Sequence, residues 1–134
     1  MLIYWDSSAI LSRLFRDIHS DDAYEWSGKE GYHLISSLAW AEVTAVMSRM
    51  RRERIITDIL VDSSFKALTK GPWRRFYLCP GWQTIQTLSK KWPLRGADLW
   101  HLATAMTLKM ERPEVRLLTY DRRLKEAAHR EGIA

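Results

Sequence analysis

Leu2-Ile3-Tyr4-Trp5-Asp6-Ser7-Ser8-Ala9-Ile10-Leu11 decides the reading of this chain. Four apolar residues rich in β-formers read as a buried strand. Asp6, Ser7 and Ser8 end it and offer side-chain oxygens that cap a following helix over Ala9–Arg16. The same device returns near the other end. Val115-Arg116-Leu117-Leu118-Thr119 reads as a strand, and Asp121 opens a helix running to Arg130, with Gly132 as its stop.

Between these ends the pattern keeps alternating. The sequence predicts a short helix over Asp21–Ser27, a strand at His33–Ser36, and a long helix over Leu38–Arg54 capped by Ser37. It then predicts a helix over Thr57–Lys70, closed by Gly71-Pro72, and a strand at Arg75–Cys79. Helices over Trp82–Lys91 and Ala97–Glu111 follow. Strands alternating with helices call for an α/β fold with a central, mainly parallel sheet flanked by helices. No linker or repeat divides the 134 residues, so residues 1–134 read as a single domain.

Composition sets outer limits. The single cysteine, Cys79, can form no disulfide within the chain. It reads as an inert strand residue, in keeping with a reducing, cytoplasmic setting. No run approaches the roughly 20 apolar residues of a membrane span. A net charge of +5 favours polyanionic partners.

Against that basic background, four acids stand at element boundaries. Asp6 follows the first strand and Asp121 the last, which in a parallel sheet is the same edge, where ligands of such sheets bind. Glu42 falls inside the apolar arc of Leu38, Ala39, Val43, Val46 and Met50, where an unpaired carboxylate is costly. Asp98 stands in the first turn of its helix, beside the stripe of Leu99, Leu102, Ala103, Met106 and Met110. Taken singly, each has an ordinary explanation. Asp6 and Asp121 serve as helix caps, and Asp98 suits the helix dipole. Glu42 lies five residues from Ser37 and so fits a capping box poorly. Taken together, they suit a divalent-metal site, because Mg²⁺ and Mn²⁺ prefer carboxylate oxygens and converging carboxylates repel one another without a cation. Such a site would act on phosphodiesters, with outlying cations holding the strand.

These segments resemble the motifs of PIN domains. Tyr4-Trp5-Asp6-Ser7-Ser8 resembles the opening motif, and Ser37-Leu38-Ala39-Trp40-Ala41-Glu42-Val43 the second. Leu94-Arg95-Gly96-Ala97-Asp98-Leu99-Trp100-His101-Leu102-Ala103 is similar to the third, and Leu118-Thr119-Tyr120-Asp121-Arg122-Arg123-Leu124 to the fourth. Among PIN proteins the VapC type of toxin is the most similar. The resemblance implies an endoribonuclease dependent on Mg²⁺ or Mn²⁺, acting as the toxin of a VapBC-like pair. It also implies a homodimer and a VapB-like antitoxin that blocks the site. Asp6, Glu42, Asp98 and Asp121 match the acidic positions as metal-binding and catalytic residues. Ser8 and Thr119 match the supporting hydroxyl positions. Arg95, Arg122 and Arg123 flank these motifs and are candidates for RNA contact. Family members usually add a last strand after the final helix. Here Gly132-Ile133-Ala134 leaves room for a stub at most.

Other signals point less sharply. His101, by its helical angle, reads as a surface or interface histidine. The basic run Arg49, Arg51, Arg52, Arg54 is either a solvated helix end or a phosphate contact. Trp40 and Trp100, two of seven tryptophans, fall off their apolar stripes and suit contact with a second copy or an antitoxin. The alternative to a nuclease is a catalytically inactive PIN-like module that binds RNA or protein. A phosphotransfer domain with Asp6 as acceptor ranks last, since the paired-Asp signature is missing.

Overall fold

The structure is a computed structural model describing residues 1–134. Strand β1 (Leu2–Trp5) is followed by α1 (Ser7–Leu14), α2 (Ser20–Ser27) and β2 (Tyr32–Ser36). Next come α3 (Ser37–Arg52), α4 (Asp58–Lys70) and β3 (Trp73–Phe76). The chain then runs through α5 (Trp82–Lys91), α6 (Gly96–Glu111), β4 (Val115–Leu118) and α7 (Arg122–Arg130).

The four strands form one sheet in the order β3-β2-β1-β4, and every pairing is parallel. β1 is central, with Trp5 opposite Ile35 of β2 on one side and Leu118 of β4 on the other. Its four residues are all buried, as expected of a strand covered on both faces. Alternation divides them. Leu2 and Tyr4 enter a core shared with Leu102 and Ala105 of α6, Leu117 of β4, and Leu124 and Ala127 of α7. Ile3 and Trp5 face Ala9 and Ile10 of α1, Ala39, Val43 and Met47 of α3, and Leu68 of α4. This is the three-layer α/β arrangement expected from the sequence. No helix is long and apolar enough to cross a membrane.

From β1 the chain builds outward through β2 and β3, then returns to add β4 on the opposite side of β1. The direction of winding thus switches at β1, and in open parallel sheets ligands bind beyond the carboxyl ends of the strands at such a point.

Several local expectations need correction. β3 starts at Trp73 and ends at Phe76, so it does not reach Cys79, which is exposed. The anchor is Trp73, buried edge-to-face against Trp5 at 5.5 Å between ring centroids. Ser36, not Ser37, caps α3, its Oγ accepting from the Ala39 amide at 3.1 Å. The fully buried row of α3 is Ala39, Val43 and Met47, a spacing of four, whereas Val46 and Met50 are half-buried. Met110 is 84% exposed, because the buried part of α6 ends well before it. No strand follows α7. Ile133 is nevertheless buried, and its carbonyl accepts from the Leu117 amide at 2.6 Å, so the tail meets β4 through a single bond.

Candidate active site

Asp6 stands just past the end of β1, and its amide donates to the Leu118 carbonyl at 3.1 Å, joining it to β4. Its carboxylate is only 2% exposed. Oδ1 accepts from the Ala9 amide at 3.0 Å, as the cap of α1, and from the Ser8 hydroxyl at 2.7 Å. Oδ2 accepts from the Thr119 hydroxyl at 2.5 Å. Ser8 and Thr119 lie 3.2 Å apart, and the Tyr120 amide donates to Ser8 at 2.9 Å. Two motifs at opposite ends of the chain thus fix one carboxylate. Burial pushes the Asp6 carboxyl above its ordinary range, although Thr119, Ser8 and the Ala9 amide pull it back.

Asp121 caps α7, its Oδ1 accepting from the Leu124 amide at 2.9 Å, while its own amide donates to Thr119 at 3.1 Å. The capping expected of Asp6 and Asp121 is therefore real, and it coexists with their convergence on Thr119. Asp98 is half-buried in the first turn of α6, which has no side-chain cap. Its carboxyl is raised by burial first, and then by the neighbouring charges of Asp121, Asp6 and Glu42, opposed by His101. Asp121, Asp6 and Glu42 therefore each lie within electrostatic reach of Asp98.

Glu42 does not stand alone on its helix. Its Oε1 lies 2.6 Å from His101 Nε2. His101 is 1% exposed, and its Nδ1 is bonded to the Tyr4 hydroxyl, which donates in turn to Ser36 Oγ at 3.1 Å. Burial pushes the Tyr4 phenol far up, so it stays protonated as a donor. The surface histidine expected at position 101 is thus corrected to a buried strut between β1 and α3. His101 lies off the stripe of Leu99, Leu102, Ala103 and Met106. Residues His101–Ala105 of α6 are all buried, so this part of the helix is enclosed all round and its helical angle does not place His101. The usable signal was spacing, since His101 lies one turn from Asp98.

Arg95, Arg122 and Arg123 are exposed at the starts of α6 and α7, beside Asp98 and Asp121. Trp40 and Trp100 are half-buried rather than open, and Trp82 is the exposed indole, at 92%.

No three His, Cys, Asp or Glu side chains surround a common point at ligating geometry. Asp6 has donors on both oxygens, Asp121 caps its helix, and Glu42 is bound to His101. The donor chemistry still suits a hard cation, since Mg²⁺ is commonly held by one or two carboxylates with water completing its shell.

Comparison with known proteins gives the same picture. The profile of the PIN domain matches residues 3–130. Ribonuclease VapC45 of Mycobacterium tuberculosis is 31% identical over 140 aligned residues, covering 98% of this chain and 92% of that protein. Ribonuclease VapC35 of the same species is 28% identical, covering 99% and 94%. The crystal structure of M. tuberculosis VapC20, described as a sarcin-ricin-loop-cleaving toxin, superposes with a TM-score of 0.60 at 12% identity, over 93% of this chain and 94% of that one. That last likeness concerns the fold alone. With a four-stranded parallel sheet, acids following the carboxyl ends of β1 and β4, and a family match across nearly its whole length, the chain belongs to the PIN-domain family and is related to the VapC ribonucleases of Mycobacterium.

Proposed function

We propose that this chain is an endoribonuclease that hydrolyses RNA phosphodiester bonds in a Mg²⁺- or Mn²⁺-dependent reaction. In this reading it forms one nuclease domain over residues 1–134 and serves as the cytoplasmic toxin of a VapBC-like pair. It works as a homodimer restrained by a VapB-like antitoxin. The observation carrying the proposal is the clamp on Asp6, whose two oxygens are held by Ser8 and Thr119 from opposite ends of the chain, next to Asp98 and Asp121. A helix cap alone needs only the Ala9 amide. The added hydroxyls fix the direction of a buried carboxylate, which is what a pre-organised site requires.

Asp6, Asp98, Asp121 and Glu42 would hold the cation. When bound, it would neutralise charge on the scissile phosphate and make an attacking water more acidic. Ser8 and Thr119 keep Asp6 aimed, and His101 keeps Glu42 from turning to solvent. Arg95, Arg122 and Arg123 offset the repulsion that these acids exert on a polyanion.

The test is cleavage of a labelled RNA pool with Mn²⁺, with EDTA, and by Asp6→Asn. Cleavage that needs the cation and vanishes in Asp6→Asn is expected. A second reading, a PIN-like module that binds RNA or protein without cutting, is favoured by the lack of three acids arranged about one point. RNA binding without cleavage in Mn²⁺ would establish it instead.

A further inference from the structure

On the same edge of the sheet, away from the acids, a cavity of about 230 Å³ opens where β2 and β3 end. Trp40, Phe76, Tyr77, Ser36, Ser37 and Arg75 line it. The Arg75 guanidinium lies over the Trp40 ring at 4.4 Å, and next to it Arg74 lies over Tyr32 at 4.8 Å. Neither arginine joins any ion pair of the molecule, and no carboxylate lines the cavity. Tyr77 is 87% exposed at the rim. The back of the pocket is firm, because Trp40 packs onto the core around Ile3 and Trp5.

From these features we infer that the cavity is a nucleobase subsite, taking one unpaired base of a single-stranded RNA against Arg75, Trp40 and Tyr77. The inference rests on the ribonuclease reading and deepens it, assigning part of the substrate recognition that the acids do not supply. Three physical points carry it. Stacked aromatic and guanidinium planes bind the π-face of any base, and unpaired arginines attract the phosphates on either side. The volume lies below the roughly 300–1,000 Å³ of sites for larger ligands, and an α-helix about 10 Å across would not enter it. That disfavours a helical segment of a protein partner. Position completes the case. β3 is the second neighbour of β1. At about 4.8 Å per strand, the cavity mouth lies about 10 Å along the sheet edge from the strand end that carries Asp6. A strand crossing that edge would bring one phosphate to the acids and a nearby base to the cavity.

The experiment is done in EDTA, so that binding is read without cleavage. The probes are short fluorescent oligoadenylate, oligouridylate and oligocytidylate, each with an abasic counterpart of the same length. Arg75→Lys and Tyr77→Ser alter exposed side chains and leave the core intact, Trp40→Phe keeps a ring, and Trp40→Leu removes it. Thermal melting of each variant checks folding. Arg75→Lys, Tyr77→Ser and Trp40→Leu should each weaken binding of at least one base-bearing oligonucleotide by about 10-fold, within the range for one lost base stack. Trp40→Phe should weaken it less, and the abasic strands should bind wild type and variants alike. Equal losses on base-bearing and abasic strands would overturn the inference, reducing Arg75 to a phosphate contact. Unchanged binding in all folded variants would overturn it too, and would assign the cavity to some other partner. If wild type binds none of the oligonucleotides in EDTA, the inference fails, whereas the ribonuclease reading fails only if wild type also leaves the RNA pool uncut in Mn²⁺.

Discussion

Asp6 offers the sharpest test of the site, because two substitutions separate its roles as a cap and as a buried charge. Asp6→Asn keeps an oxygen for the Ala9 amide, now 3.0 Å from Oδ1, and asparagine caps helices about as well as aspartate. The Thr119 hydroxyl, which donates to Oδ2, can accept from the new amide and turn its proton toward Ser8, 3.2 Å away. The network closes again without a charge. Asp6→Ala loses the cap, about 1 kcal/mol, and leaves both hydroxyls without the neutral partner that asparagine offers, roughly 0.5–1.5 kcal/mol each before Ser8 and Thr119 recover part by bonding each other. Both variants escape the desolvation of a carboxylate on a residue that is 2% exposed, so that contribution cancels between them. The Asn variant should therefore be more stable than the Ala variant by about 1–3 kcal/mol. At roughly 3–5 °C per kcal/mol for a domain this size, the gap in Tm is on the order of 10 °C. Asp6→Asn should also melt no lower than wild type at neutral pH in EDTA, although it cleaves no RNA. The comparison with wild type depends on pH. The folded carboxyl titrates above its ordinary 3.8, so the folded state binds more protons than the unfolded chain between the two values. Wild-type stability from this group is thus greatest below the ordinary value. It falls as pH rises through that value to the folded one, and is level above it. The advantage of Asp6→Asn should shrink as the solution is acidified. Circular-dichroism melts of the three proteins across pH are the assay. An Ala variant as stable as the Asn variant would refute the clamp, and an Asn variant well below wild type at neutral pH would refute the buried-charge argument.

Asp98, raised by burial and by three neighbouring acids, should behave similarly: Asp98→Asn should melt higher than wild type in EDTA, while Mn²⁺ should raise Tm only in wild type, by about 2.7 kcal/mol of added stability at 100 times Kd. His101→Asn retains a polar group near Tyr4 but cannot reach Glu42, so RNA cleavage should fall by about 10–100-fold; His101→Gln, which can reach, should retain more, and equal rates in the two would remove the role given to the Glu42 contact. Gly31 has φ of +135°, and a Cβ there would lie 2.4 Å from the Met1 carbonyl oxygen that accepts from Tyr32, so Gly31→Ala should lose about 1–3 kcal/mol in denaturant unfolding.

The sequence by itself determined the layered α/β fold, since the short apolar runs and capped helices of this chain are set by local chemistry. Asp6 and Asp121 were legible as strand-end acids for the same reason: a parallel sheet sends every strand's carboxyl end to one edge. Glu42 and Asp98 were singled out by their places on their helices, and the resemblance of the four motifs to PIN domains added Ser8 and Thr119. Boundaries were less legible where packing overrode local pattern. β3 begins at Trp73 because that indole packs against Trp5, sixty-odd residues away in sequence, and nothing in Arg75–Cys79 announces it. His101 shows the limit most clearly. Its neighbours alone made it a surface residue, yet Tyr4, Ser36 and Glu42 arrive from three other elements to satisfy both ring nitrogens in a buried place. The pocket of Trp40 and Arg75 is of the same kind, joining α3 to β3 across a sheet pairing that no local window contains. Periodicity reports how a segment faces a core, but which side chains meet there is decided by strand order, and strand order is a property of the folded chain alone.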